Sequence, residues 1–205
     1  MEKWTSIQMM MNFMTNKKKI IGLTGFARTG KDTFQARSEI LLNGMNKNFI
    51  AHRYAFADAL KGECDDFLKK NMGISAFTDY TPDKEIIRPF LVTYGTHLRR
   101  KMDENCWIKK VRPLIGSINS GDNKVDFVFV TDVRFKNEAE WIKFSGGHIV
   151  NVSRDGYGPA NIEEEEQSKL IAPLVSYQIS WPTFGEDQIA SCDSLILPIL
   201  EKISA

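Results

Sequence analysis

Two short constellations in this chain have the residue types and spacing for phosphate chemistry. Residues 25 to 33 read GFARTGKDT. Gly25, Gly30 and Lys31 follow the G-x-x-x-x-G-K spacing of a phosphate-binding loop. Such glycines let backbone N–H groups turn toward phosphate oxygens, and the lysine reaches the β- and γ-phosphates. Gly25, Ala27, Arg28, Thr29, Gly30, Lys31, Asp32 and Thr33 are therefore the candidates for holding ATP. Asp32 stands where a Ser or Thr normally offers its hydroxyl to magnesium, and Thr33 comes one residue later. Two readings of Asp32 are open. It is an acid favoured by the helix dipole in a first turn, or it holds magnesium with Thr33 or orients an attacking oxygen.

The second constellation is VFVTDVRFKNEAEW, residues 128 to 141. Asp132 and Arg134 lie just past a buried strand, at the edge where open α/β sheets gather their ligands. Asp132 is placed like an acid that holds a metal or its water shell. Arg134 can clamp a phosphate with two parallel hydrogen bonds. The plain alternative is a strand-end ion pair. Glu138 falls in the first turn of the next helix, facing either the same cleft or solvent.

The middle of the chain is rich in cations: Arg88, Arg99, Arg100, Lys101, Lys109, Lys110 and Arg112. Adjacent residues on a helix point about 100° apart, so one of Arg99 and Arg100 enters any shared site. Lys61 follows Asp58 by three residues and can share a helix face with it. Trp107 and Tyr94 are either base-stacking platforms or core aromatics. Arg154 ends a strand and can reach phosphate from a lid.

These residues need elements to position them. The apolar run in KIIGLTG reads as a buried parallel strand ahead of the loop, and a helix opens at Lys31. NFIAHRYAF reads as a strand and ADALKGECDDFLKKNMG as a helix stopped by Gly73. SAFTDYTPDKE reads as a loop. Two helices follow, over residues 88–103 and 104–118, with Pro89 in the first turn of the earlier one. SGDNK reads as a turn and VDFVFVTDVR as the strongest strand. KNEAEWIKFSGG reads as a helix, HIVNVSR as a strand and DGYGPANIEEEEQS as a loop, its glutamate run a solvated stretch. A short strand or two and a closing helix complete the chain. Strands alternating with helices predict an α/β fold with a mostly parallel sheet flanked by helices.

Composition bounds the function. The chain has 205 residues, 42% of them hydrophobic, and a formal net charge of +1. That length suits one domain, or one domain with a small lid. The near-neutral balance gives no global field for nucleic acid or membrane, so direct DNA binding is not expected. No apolar run is long enough to span a bilayer. Cys64, Cys106 and Cys192 are odd in number and far apart, as in a reduced, cytoplasmic protein. His52, His97 and His148 lack metal-ligand spacing. Residues 1–18 read as a flexible extension, and 19–205 as a single domain. Within it, 75–120 form a helical region and 154–185 a variable lid or loop.

The motifs together resemble a family. G-x-x-x-x-G-K-D-T, then YAFADALK, then YGTHLRR with a later Trp, then TDVRFKNEAEWIK and GGHIVNVSR, are similar in order to the phage-type deoxynucleoside monophosphate kinases. The resemblance covers most of residues 19 to 155 and is clearest in D-V-R-F-x-N-E-A-E. It implies a P-loop NTPase fold, with residues 75–120 as a helical acceptor-binding or lid region. In that family the loop reads G-K-D, so Asp32 is the expected residue. The implied activity is transfer of the γ-phosphoryl group of ATP to a deoxynucleoside 5′-monophosphate, with magnesium. By position, Lys31 would bind ATP phosphates and Asp32 would sit at the reacting phosphates with magnesium, Thr33 beside it. Asp132, Arg134 and Glu138 would line the acceptor side, and Arg99 or Arg100 would neutralise the transferring group. Asp58, Lys61, Arg88, Trp107 and Arg134 are the acceptor-binding candidates. The implied setting is the cytoplasm, that of the host for a phage protein, and a homodimer is compatible with it. Family members carry a His- and Ser-Glu-containing motif after the last matched strand; this chain reads NIEEEEQS there, without histidine. Two other readings remain open: a P-loop kinase of another phosphorylated acceptor, such as phosphomevalonate or dephospho-coenzyme A, and a nucleotide-dependent switch or motor subunit.

Overall fold

A computed structural model describes residues 18–45, 48–118, 124–182 and 186–204. All but the last residue of the 1–18 extension, nearly all of the turn at 120–124 and positions 183–185 of the variable segment lie outside the described residues, and Lys18 itself opens the first strand. The chain divides into two compact units: Met1–Tyr54 with Ile118–Ala205, and Ala55–Ser117.

The first unit is built on five strands: β1 (Lys18–Thr24), β2 (Phe49–Tyr54), β3 (Val125–Val130), β4 (His148–Arg154) and β5 (Tyr177–Trp181). They form one sheet in the order β2-β3-β1-β4-β5, every pair parallel. It is an α/β unit, and the all-parallel sheet agrees with the sequence reading. Apolar residues on both faces of β1 and β3 explain their place at the centre. Ile21, Leu23, Phe127, Phe129, Val150 and Val152 turn one way. They pack on Phe34 and Leu42 of α1 (Lys31–Met45) and on Ile196, Leu200 and Ile203 of the closing helix (Asp193–Ser204). Each such fully buried side chain stabilises the fold by about 1.5–3 kcal/mol. Arg37 clamps these two helices together, donating to Asp193 at 2.8 and 2.6 Å.

The alternate strand residues face the other way, toward the helix Lys136–Phe144. At Gly22 an added Cβ would lie 2.6 Å from Ile142 Cδ1 and 2.8 Å from Ile149 Cδ1, so this helix packs directly on the β1 backbone.

The second unit is helical. Its helices are α2 (Phe56–Met72), α3 (Thr81–Val92) and α4 (Cys106–Gly116). We number Lys136–Phe144 as α5, Ile162–Ile171 as α6 and Asp193–Ser204 as α7. Gly73, at φ 68°, ends α2 as read from the sequence. The loop reading of residues 75–85 is corrected, since α3 starts at Thr81. Pro82 occupies its first turn, where a missing N–H costs nothing, and Pro89 is interior. A π-helical stretch, Thr93–Arg99, continues α3. Gly95 within it lies against Leu60: an added Cβ would be 2.8 Å from Leu60 Cδ2.

The loop reading of NIEEEEQS is also corrected. The segment enters α6, Ile162–Ile171. Asn161 caps it, its side chain accepting from the Glu164 N–H at 2.8 Å, and Glu164 Oε2 accepts from the Ala160 N–H at 2.7 Å. Asn161 thus satisfies one first-turn donor and Glu164 reaches back to the residue before the cap, and acids suit the positive end of a helix dipole.

Candidate functional site

All five strands run the same way, so their carboxyl ends share one edge. The crossover from β1 passes through α1 on one face, and that from β3 through α5 on the other. Open α/β sheets take their ligands where the crossovers of adjacent strands diverge, and in this strand order that point is the carboxyl ends of β1 and β3.

The 25–30 loop lies at this point. Gly25 has φ 133° and Gly30 φ 94°, both unfavourable for any other residue. Space forbids a side chain as well. A Cβ on Gly25 would sit 2.1 Å from the Val152 carbonyl oxygen, and one on Gly30 2.4 Å from Trp181 Nε1. Arg28, exposed, also takes a left-handed conformation at φ 63°. Buried Thr29 closes the turn, its hydroxyl donating to the Phe26 carbonyl at 2.9 Å. The Phe34 N–H donates to the Gly30 carbonyl at 2.9 Å. The N–H groups of Lys31, Asp32 and Thr33 precede it in the first turn, where helix geometry offers no internal acceptor.

Lys31 folds over its own loop. Its Nζ donates to the Gly25 and Phe26 carbonyls at 2.8 and 2.7 Å. Burial pushes the ammonium below its ordinary pKa, and Arg134 pushes the same way; Asp32, Glu164 and Asp132 push back. The loop lysine and the residues after β3 therefore share one electrostatic neighbourhood. The Val133 N–H ties that segment to β1, donating to the Leu23 carbonyl at 3.0 Å. Asp132 is half-buried and Arg134 exposed.

Glu138 is 1% exposed, so it is not the solvated helix-start acid of one reading. Its Oε2 accepts the backbone N–H groups of Arg134 at 2.9 Å and Phe135 at 3.0 Å. It holds the segment that presents Arg134.

A cavity of about 300 Å³ opens beside the loop, between Gly25, Phe26, Arg134, Asn151 and α6. Glu164, Ser168 and Lys169 of α6 line it. Glu164 belongs to a run whose composition reads as a solvated loop; the N-x-x-E pattern at 161–164 is the local signal that places it at a helix start. Arg154 ends β4, its guanidinium carbon 5.2 Å from the ring centre of Tyr157.

The remaining candidates belong to the helical unit. Arg99 is committed to Glu63, with Nε and Nη2 each donating at 3.0 Å. Tyr94 Oη donates to the same carboxylate at 3.0 Å, and Lys110 Nζ lies 2.6 Å from it. Arg99 also lies over Trp107, 5.8 Å from the ring centre. Trp107 is a core residue at 3% exposure. Arg100 donates to the Glu104 carbonyl at 3.2 Å. Lys61 rests over Phe77, Asp58 is half-buried in the first turn of α2, and Arg88 is exposed on α3.

Among the described residues no group of three or more His, Cys, Asp or Glu is arranged to hold a metal ion. Asp32 and Thr33 offer an exposed carboxylate and a half-buried hydroxyl. The three cysteines are free and buried, and burial with the Glu63 charge pushes the Cys64 thiol up to about 11. No described helix is long and apolar enough to cross a membrane.

A scan against protein-family models finds no matching family, and a search of the curated proteins finds no significant match.

Proposed function

We propose that this chain is a P-loop kinase that transfers the γ-phosphoryl group of ATP to a deoxynucleoside 5′-monophosphate, in cytoplasmic nucleotide supply. The observation that carries the reading is the 25–30 loop. Two glycines that tolerate no side chain join the central strand to a helix, and Lys31 lies folded on the loop they form. The resemblance in D-V-R-F-x-N-E-A-E selects the acceptor.

In this mechanism the loop N–H groups and Lys31 bind the donor phosphates. Lys31 leaves its two carbonyl partners for phosphate oxygens when the nucleotide enters. Asp32 and Thr33 are too few to cage a metal alone. They fit magnesium, which usually takes one or two protein ligands with substrate phosphates and water, and which would neutralise charge on the phosphates. An oxygen of the acceptor monophosphate attacks the γ-phosphorus. The bond from that phosphorus to the bridging oxygen breaks, and ADP and a deoxynucleoside diphosphate leave. Arg134, held by Glu138, steadies the acceptor phosphate beside Asp132. Catalysis of this kind is mostly positioning and charge stabilisation.

The test is ADP formation from ATP and magnesium, with each deoxynucleoside monophosphate added singly and a control without acceptor. Acceptor-dependent ADP with the matching diphosphate supports the reading. ADP without acceptor sends the assignment to a switch or motor, and no ADP to another phosphorylated acceptor.

A further inference from the structure

The 25–30 loop is pinned at both ends and open at its tip. Gly25 lies against the Val152 carbonyl of β4 and Gly30 against the Trp181 indole of β5. Thr29 is buried. Of residues 25–30 only Ala27 and Arg28 are exposed. Arg28, at φ 63°, is the one non-glycine among the described residues with a positive φ. An L side chain crowds its own backbone there, and glycine would relieve the strain. The other two positive-φ positions of the loop, Gly25 and Gly30, are glycines whose surroundings leave no room for a Cβ. Arg28 has room and carries a long cation. Among the described residues none holds its guanidinium by a hydrogen bond or ion pair. No contact within the fold accounts for the strain, and strain of this kind collects at functional sites. The charges around the loop also leave work for a second cation. Asp32, Glu164 and Asp132 all act on Lys31, against one further cation, Arg134.

We propose that Arg28 is a second phosphate clamp carried by the loop itself, its guanidinium folding over the β- and γ-phosphates of the donor. Lys31 reaches those two phosphates, and Arg28 stands three residues before it on the same small loop. A guanidinium stays protonated and takes two phosphate oxygens at once, which a lysine does not. The left-handed backbone is the cost of aiming that side chain from the loop tip. The proposal rests on the reading of the 25–30 loop as a phosphate site and adds a side chain to what its N–H groups and Lys31 do.

The test sets function against strain. Equilibrium binding of magnesium ATP, AMP and inorganic tripolyphosphate is measured on the full chain, with urea unfolding midpoints alongside. The same measurements follow on Arg28→Gly, which frees the backbone, Arg28→Gln, which keeps the strained backbone without the charge, and Lys31→Ala. Both Arg28 variants should lose roughly 10-fold or more in affinity for ATP and tripolyphosphate, the scale of one hydrogen-bonded charge. AMP affinity should stay unchanged, and the Arg28→Gly midpoint should be no lower than that of the unaltered chain. A structural arginine gives the reverse, a lower midpoint with affinities kept, and that result overturns the proposal. Unchanged tripolyphosphate affinity in both Arg28 variants, with a loss in Lys31→Ala, overturns the clamp and leaves the loop standing. An equal loss for AMP takes the guanidinium off the β- and γ-phosphates and overturns the assignment. Failure of the unaltered chain to bind tripolyphosphate or ATP removes the loop reading and the clamp together.

Discussion

Buried Glu138 carries the backbone of Arg134. One carboxylate oxygen accepts two consecutive N–H groups, at 2.9 and 3.0 Å, and so fixes the turn between β3 and α5. Replacing it by Ala leaves both part-buried donors without their carboxylate, at about 1–3 kcal/mol for each group left unsatisfied. Glu138→Ala should therefore lower stability by roughly 2–4 kcal/mol in urea unfolding. Glu138→Gln keeps an acceptor oxygen and should lose less than half as much. Equal losses in the two variants would refute the backbone role.

In the proposed mechanism Lys31 is the charge that the donor phosphates meet. Lys31→Ala should reduce acceptor-dependent ADP formation by roughly 10²- to 10³-fold or more, the scale for removing one preorganised electrostatic group. Circular dichroism should be unchanged. Near-normal turnover would take the loop out of the mechanism.

The loop glycines can be tested against a glycine with room. Gly30→Ala drives a methyl group into Trp181 and strains a positive φ, so it should destabilise by about 1–3 kcal/mol. Gly44, near the end of α1, has nothing within 4 Å of an added Cβ. Gly44→Ala should stabilise by about 0.4–1 kcal/mol, through the smaller entropy of the unfolded chain. Unfolding midpoints measured side by side decide both.

Glu63 should give the helical unit an acid-labile brace. Burial alone would raise its pKa; hydrogen bonds from Lys110, Arg99 and Tyr94 outweigh that and hold the carboxyl below its ordinary 4.5. A carboxyl depressed on folding stabilises the fold above its unfolded pKa, and that contribution fades as pH falls through the folded value. Glu63→Gln should thus lower the Tm at pH 7, and the gap from the unaltered chain should narrow as the pH drops below about 4.5. A gap that stays constant from pH 7 to pH 3 would show that charge plays no part.

Much of the fold was legible because its signals are local. The apolar runs at 20–23 and 125–130 mark strands buried on both faces, and the glycine spacing at 25 and 30 marks the loop between strand and helix. Local chemistry also explains the two errors. Pro82, rather than Pro89, marks a helix start, and Asn161 with Glu164 caps a helix within what looked like a charged loop. Both signals are local, but polar composition in the same stretches reads as loop.

The sequence alone determined the alternation of strands with helices as far as β4 and the residues that build the 25–30 loop, because steric and periodic rules act over a few neighbouring residues. Tertiary structure decided which distant groups share the Lys31 neighbourhood. Parallel strands bring the ends of β1, β3 and β4 to one edge, and there Arg134, Asp132 and Glu164 act on one lysine. It also separated acids that look alike in sequence. Glu138 and Glu164 each stand in a helix's first turn, yet packing buries the first against backbone and leaves the second at a cavity wall. Spacing along one helix places a side chain on a face; what covers that face depends on elements tens of residues away.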